Sequence, residues 1–278
     1  MGTRAVLRTL LTAAFAAVAL GAGLQAFAQE REEARLLTAS QVLQEALSSP
    51  DDFIPQRLLQ RAYGIAVIPD VTKFAFFFGG RRGNGVLVAR DASGHFTDPV
   101  FVNLTGGSFG FQWGLQSTDV VLVFTTQRSI DRIASGQIHL GADASVAAGP
   151  VGRQAYAATT PTLSAEVYSY SRSRGLFAGI ALDGSALTID DRADSRFYDR
   201  GTVNPQDVIA GRMRTDNDIA RRFLGAVARA TGDPSAIAPA EAGPATPVAP
   251  GEPAPAPARA GAQTFPLADP KPGAEPQS

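Results

Sequence analysis

The sequence predicts an α+β fold: a mainly antiparallel, curved or barrel-like β-sheet with amphipathic helices at the N- and C-terminal ends. Apolar residues alternate with period two in many short segments between Gly64 and Ile189, and the period is helical on either side of that run. The strands are closely spaced, which favours antiparallel pairing.

Gln29 to Ser48 places Leu36, Leu37, Leu43, Ala46 and Leu47 at helical spacing, with Glu30, Glu32 and Glu33 in the first turns, where acids suit the helix dipole. Ser49-Pro50-Asp51-Asp52 breaks this helix. A short helix starts near Pro55 with Leu58, Leu59 and Ala62, and stops at Gly64. Ile65–Ile68 is a strand closed by Pro69-Asp70. Phe74–Phe78 and Val86–Arg90 read as a hairpin turning at Gly79–Gly85. Phe96–Val102, Gly107–Leu115 and the Val-rich Asp119–Thr126 are the next strands. Ser129–Ser135 has room for one or two helical turns. Gln137–Ala148, Arg153–Thr159, Leu163–Tyr170, Leu176–Leu182 and Ala186–Ile189 complete the strands. Asp190–Asn204 is irregular and charged. Helical character resumes at Pro205. Asp216–Ala230 is a helix with Ile219, Phe223 and Val227 on one side and Arg221, Arg222 and Arg229 outward.

The two ends lie outside this domain, which is expected over 29–230. Residues 1–28 run from Arg4 and Arg8 through an apolar core to Gln-Ala-Phe-Ala, the order of a secretory signal peptide. That predicts cleavage after Ala28 and a periplasmic or secreted protein. The apolar run is short against the roughly 20 residues of a spanning helix. No cysteine follows it to carry a lipid. The absence of cysteine from all 278 residues excludes disulfides and thiolate metal sites. A net charge of −1 provides no global argument for nucleic-acid binding. Beyond Thr231, twelve of the 19 prolines crowd among Ala and Gly, so 231–278 is expected to be a disordered tail, a candidate contact for an envelope protein.

Tyr168 to Gly184 is the most distinctive stretch. On a strand, Tyr168, Tyr170, Arg172 and Arg174 share one face and the serines between them share the other. Tyrosines and guanidiniums in a row suit an anionic head group or carboxylate. The alternative is a solvated face with cation–π pairs.

Other motifs are weaker. Gly106-Gly-Ser108-Phe-Gly110 matches G-x-S-x-G, but a nucleophile elbow needs a helix after the serine and a strand pattern follows instead. Gly79–Gly85 has the glycines of a phosphate cradle and two arginines, without the Gly-Lys-Ser/Thr ending of a P-loop; a hairpin turn is the simpler reading. His95 and His139 have no histidine partner at ligand spacing, so no metal or other cofactor is expected. Asp51/Asp52 and Asp190/Asp191 lie beside turns and read as solvated. Arg221-Arg222 reads as a solvent-facing pair.

Gly64–Pro69, Gly85–Val88, Gly106–Gly110, Asp119–Val123, Leu140–Arg153 and Ser169–Gly179 together resemble the SYLF domain, a lipid-binding domain also known as a yeast actin-binding module. The match covers roughly residues 36–200. The resemblance implies a non-enzymatic phospholipid-binding domain. In eukaryotic relatives an amphipathic N-terminal helix and basic residues bind phosphoinositides, and some relatives bind actin. This chain departs from the pattern in three ways. Phe74-Ala-Phe-Phe-Phe78 replaces a glycine-rich segment, the N-terminal helix is acidic, and the sequence carries no SH3 or zinc-finger pattern.

The expectation is therefore a cell-envelope protein that is not an enzyme. It would bind anionic phospholipid or a membrane surface, and not nucleic acid. The candidate head-group residues are Arg172 and Arg174, then Arg153, then Lys73, Arg81 and Arg82. One of Arg172 and Arg174 is expected instead to hold the sheet together through buried carboxylate or carbonyl bonds, the other keeping the ligand role. Phe74, Phe76 and Phe78 are candidate apolar contacts or core. The alternatives are an envelope structural or protein-interaction module, or a serine hydrolase using Ser108.

Overall fold

The computed structural model describes residues 29–47, 54–75, 79–108, 114–151, 164–173 and 176–232. The expected signal peptide, the expected strand Arg153–Thr159 and the tail beyond Gly232 lie outside them.

Helix α1 spans 29–47 and α2 spans Gln56–Gln60. The strands are β1 Gly64–Ala75, β2 Gly79–Ala89, β3 Val100–Ser108, β4 Gly114–Phe124, β5 Gln137–His139, β6 Val146–Ala148, β7 Val167–Ser173, β8 Leu176–Gly179 and β9 Ser185–Ile189. Helix α3, Gln127–Ala134, lies between β4 and β5, and α4 Asp191–Phe197, α5 Pro205–Ile209 and α6 Asp218–Thr231 follow β9. One curled sheet runs β5-β9-β3-β2-β1-β4-β7-β6, with β8 on β7. Every pairing is antiparallel except β6 with β7. The predicted α+β class and sheet character hold.

Both faces of the sheet centre are covered. Val86 to Ala89 and Val120 to Phe124 are buried without a break, the pattern of strands packed on both sides rather than one. On one face Phe101 meets Phe197 of α4 edge-on, with ring centroids 5.1 Å apart, and Arg35 of α1 lies over the same ring. On the other, a side chain at Gly64 would collide with Ile130 of α3. Helix α1 is latched by charge: Glu32, 1% exposed, accepts from Arg196 Nε at 3.1 Å, and Arg35 pairs with Asp190 at 3.7 Å.

Two local readings change. Gly79–Gly85 is strand rather than turn. Its glycines answer a bulge in β1, where the register shifts around Ile68-Pro69-Asp70 and Asp70 takes φ 51°. A Cβ at Gly83 would lie 2.6 Å from Ile68, and one at Gly85 2.5 Å from the Val67 carbonyl oxygen. The close approach of β1, and not a phosphate, explains these residues. Asp190–Asn204 is not irregular throughout, because α4 begins there, with the Asp190 side chain accepting from the Ala193 N–H as N-cap. Smaller differences follow the same lines. Gln137–Ala148 is two short strands, and Phe96–Val102 becomes a bridge at Phe96 before β3.

Candidate functional site

Beyond Asp70, β1 and β2 continue side by side, flanked by β4 on the β1 side and β3 on the β2 side. Lys73 pairs in register with Arg81, and Arg82 with Thr72. Adjacent residues of β2 point to opposite faces, so Lys73 and Arg81 share one face and Arg82 takes the other. Arg81 is half-buried, and Nη1 donates to the Ala181 carbonyl at 3.4 Å. Burial holds its pKa below the ordinary arginine value. Arg82 lies in a polar hollow with Asn84, Asn103, Asp190, Asp191 and Arg192. No ion pair joins Lys73, Arg81 or Arg82 to an acid among the described residues.

Arg172 is differently placed. Opposite Asp119 in register, it bonds Asp119 Oδ2 through Nη1 at 3.3 Å and pairs with Glu45 of α1 through Nη2. Its guanidinium carbon lies 6.0 Å from the centre of the Phe177 ring. Asp119 Oδ1 accepts from the Asp70 N–H at 3.1 Å, and Ser117 donates to Asp70 at 3.2 Å. Arg172 thus ties α1, β4, β7 and the β1 bulge together. The expected alternation in β7 is observed, but its tyrosines face inward: Tyr170 is fully buried and Tyr168 is 4% exposed.

The structure brings Lys73, Arg81 and Arg82 to one end of the sheet. Arg172 stands in its own ion-pair network. Arg153 and Arg174 lie outside the described residues, as do Phe76, Phe78 and the side chain of Phe74. Sequence reasoning missed Glu45 and Asp119 as partners of Arg172; an aspartate heading the Val-rich strand was the available signal. Arg221 and Arg222 are exposed as expected, yet with Arg229 they line a groove against α1. Ser108 ends β3, opposite Gly79 of β2. His139 contacts Asp143, 2.9 Å away, on edge strand β5. Among the described residues no helix is long and apolar enough to cross a membrane.

These features define a curled-sheet α+β module that carries exposed cations on a well-packed frame. Comparison with known proteins agrees with the resemblance read from the sequence. A family model, Ysc84, described as Las17-binding protein actin regulator, matches residues 105–230. LAS seventeen-binding protein 3 of Saccharomyces cerevisiae is 36% identical over 188 residues, 66% of this chain and 40% of that protein. SH3 domain-containing YSC84-like protein 1 is 31% identical over 186 residues in Xenopus laevis, 66% of this chain and 55% of that protein. The human protein of that name is 34% identical over 152 residues, 54% of this chain and 44% of its own length. The chain carries a domain of the SYLF (Ysc84) family. It spans about two fifths to just over half of the length of these relatives.

Proposed function

We propose that the domain is a non-enzymatic, exported membrane-surface module that binds anionic phospholipid. The observation that carries this reading is that Lys73 and Arg81 share one face at one end of the sheet, with Arg82 beside them on the other face, and that none of the three has an ion-pair partner among the described residues. Cations without counter-ions attract anionic head groups, while those already neutralised do not. Arg153 and Arg174 join the proposal from the sequence. Arg172 belongs with the frame. The charged, apolar, small-residue order of residues 1–28 supports export to the periplasm or beyond.

Flotation with vesicles of phosphatidylcholine, with or without phosphatidic acid, tests this. The protein should float only with the acidic vesicles, and Lys73→Gln/Arg81→Gln/Arg82→Gln should weaken flotation about tenfold. Equal flotation of the triple variant and the wild type would sink the reading. The names of the relatives favour a second one, a protein-interaction module. Its mark would be a saturable protein partner and no preference between the two vesicle types.

A further inference from the structure

A groove of about 720 Å³ runs between α1 and α6. Its α6 wall is Arg221, Arg222 and Arg229 around Gly225. Gly225 leaves the floor open, since a Cβ there would meet only Arg229 Nη1, at 3.5 Å. The facing wall of α1 carries Leu37, Ser40, Gln41 and Gln44 and no charge. Asp218 is the one acid in the lining, and it pairs with Arg221 at the start of the helix. Arg222 and Arg229 have no ion-pair partner among the described residues.

The geometry points to a second anion site here, for a multiply charged phosphate ester. Like-charged guanidiniums held along one wall repel each other until an anion lies between them. The guanidinium fork matches phosphate oxygens, and Gln41 and Gln44 offer amide N–H donors from across the groove. The volume is that of a small-molecule site, for which about 300–1,000 Å³ is usual. The walls are held in place. Asn217, the N-cap of α6, donates to Glu33 of α1 at 2.7 Å, and Leu36, Leu43, Phe223 and Val227 are buried. Leu37 is 41% exposed, one of few large hydrophobics so exposed among the described residues. An apolar side chain beside a phosphate site suits a lipid head group, although a soluble phosphate ester satisfies the same arginines. None of these residues belongs to the sheet-end site, so each site is testable without the other.

The full chain is titrated calorimetrically with pyrophosphate and floated with phosphatidylcholine vesicles containing phosphatidic acid. Four variants are compared: Arg222→Gln/Arg229→Gln, Arg222→Lys/Arg229→Lys, the sheet-end triple variant, and Arg212→Gln, an exposed arginine outside the groove. The glutamine pair should weaken binding of at least one probe about tenfold or more. The lysine pair should fall between it and wild type, because lysine keeps charge and loses the fork. Arg212→Gln should match wild type, and so should the sheet-end variant with pyrophosphate. Loss confined to vesicles assigns the groove to a lipid-borne phosphate, and loss confined to pyrophosphate assigns it to a soluble ester. The inference is overturned if wild type binds neither probe, if the glutamine pair binds both as wild type does, or if Arg212→Gln loses as much. Vesicle binding lost only in the sheet-end variant, with pyrophosphate unaffected by the glutamine pair, leaves the membrane reading standing and removes the groove.

Discussion

Strand β7 carries Arg172 beside Tyr168 and Tyr170, and helix α6 carries Arg221, Arg222 and Arg229 opposite Phe223 and Val227. In β7 the aromatic and cationic residues share one face, and that face is turned into the protein. Arg172 meets Asp119 and Glu45 there, and Tyr170 is fully buried, its hydroxyl donating to the Pro150 carbonyl at 3.3 Å. In α6 the arginines and the apolar residues separate to opposite faces, and Arg222 and Arg229 remain without ion pairs among the described residues. A guanidinium within reach of two carboxylates has little attraction left for a ligand. One that faces amides and solvent keeps it. Density of tyrosine and arginine along β7 therefore marks where this fold is held together, and unpaired charge marks where the two proposed sites lie.

The largest effect that sharpens this contrast lies at Gly149, whose backbone lies against Tyr170. A Cβ there would fall within the Tyr170 ring, and the Gly149 backbone in turn closes on Gly179. Neither the buried ring nor the strand has room to retreat. Gly149→Ala should cost about 3 kcal/mol or more, or prevent folding. Thermal melting measures it, with Gly107→Ala as the mild control, since a Cβ at Gly107 meets nothing within 4 Å. A melting temperature for Gly149→Ala equal to that of the control would break the assignment of β7 to the frame.

A second effect concerns a carboxyl group buried without a counter-ion. Asp194 is 0% exposed; Oδ1 accepts from the Phe101 N–H at 2.8 Å, and Oδ2 has no partner. Burial, reinforced by Asp190 and Asp191 and opposed by that hydrogen bond and by Arg35, raises its pKa to about 8. The folded protein therefore holds a proton that the unfolded chain releases near the ordinary aspartate value. This stabilisation is complete below about pH 4 and is lost as pH rises through about 8, an effect on the order of a few kcal/mol. Urea unfolding between these limits should show stability falling with pH, and Asp194→Asn should flatten the fall. Parallel curves for the two proteins would show that Asp194 is not the group responsible.

The same contrast explains what was legible in the sequence. Period and spacing disclosed the class, the terminal helices and most strands, because those signals are local. Helix α4 was hidden. Only Ala193 and Phe197 are apolar in its seven residues, although Asp190 at its start was a readable cap. Gly83 and Gly85 read as a turn in the sequence because what requires them, Val67, Ile68 and Val71, lies on a different strand. The cations of β1 and β2 were named individually, but only the register of the hairpin puts Lys73 beside Arg81. The groove needed two helices from opposite ends of the domain, so Arg222 had no visible neighbour other than Arg221.

Arg172→Ala offers the smallest effect and the most direct challenge. The change leaves Asp119 and Glu45 facing each other without the guanidinium between them. The Arg172 side chain is 25% exposed and Glu45 46%, so solvent screens much of the interaction. The expected loss is about 1–2 kcal/mol, less than for a fully buried pair. Arg172→Ala/Asp119→Asn should lose less than the sum of the two single changes, because each removes what the other had compensated. Flotation with phosphatidic acid vesicles should be unchanged at equal folded concentration. The opposite pattern, stability retained and flotation lost, would make Arg172 a ligand group in spite of its two carboxylates. The distinction between paired and unpaired arginines would then fail at the residue where it is drawn most sharply.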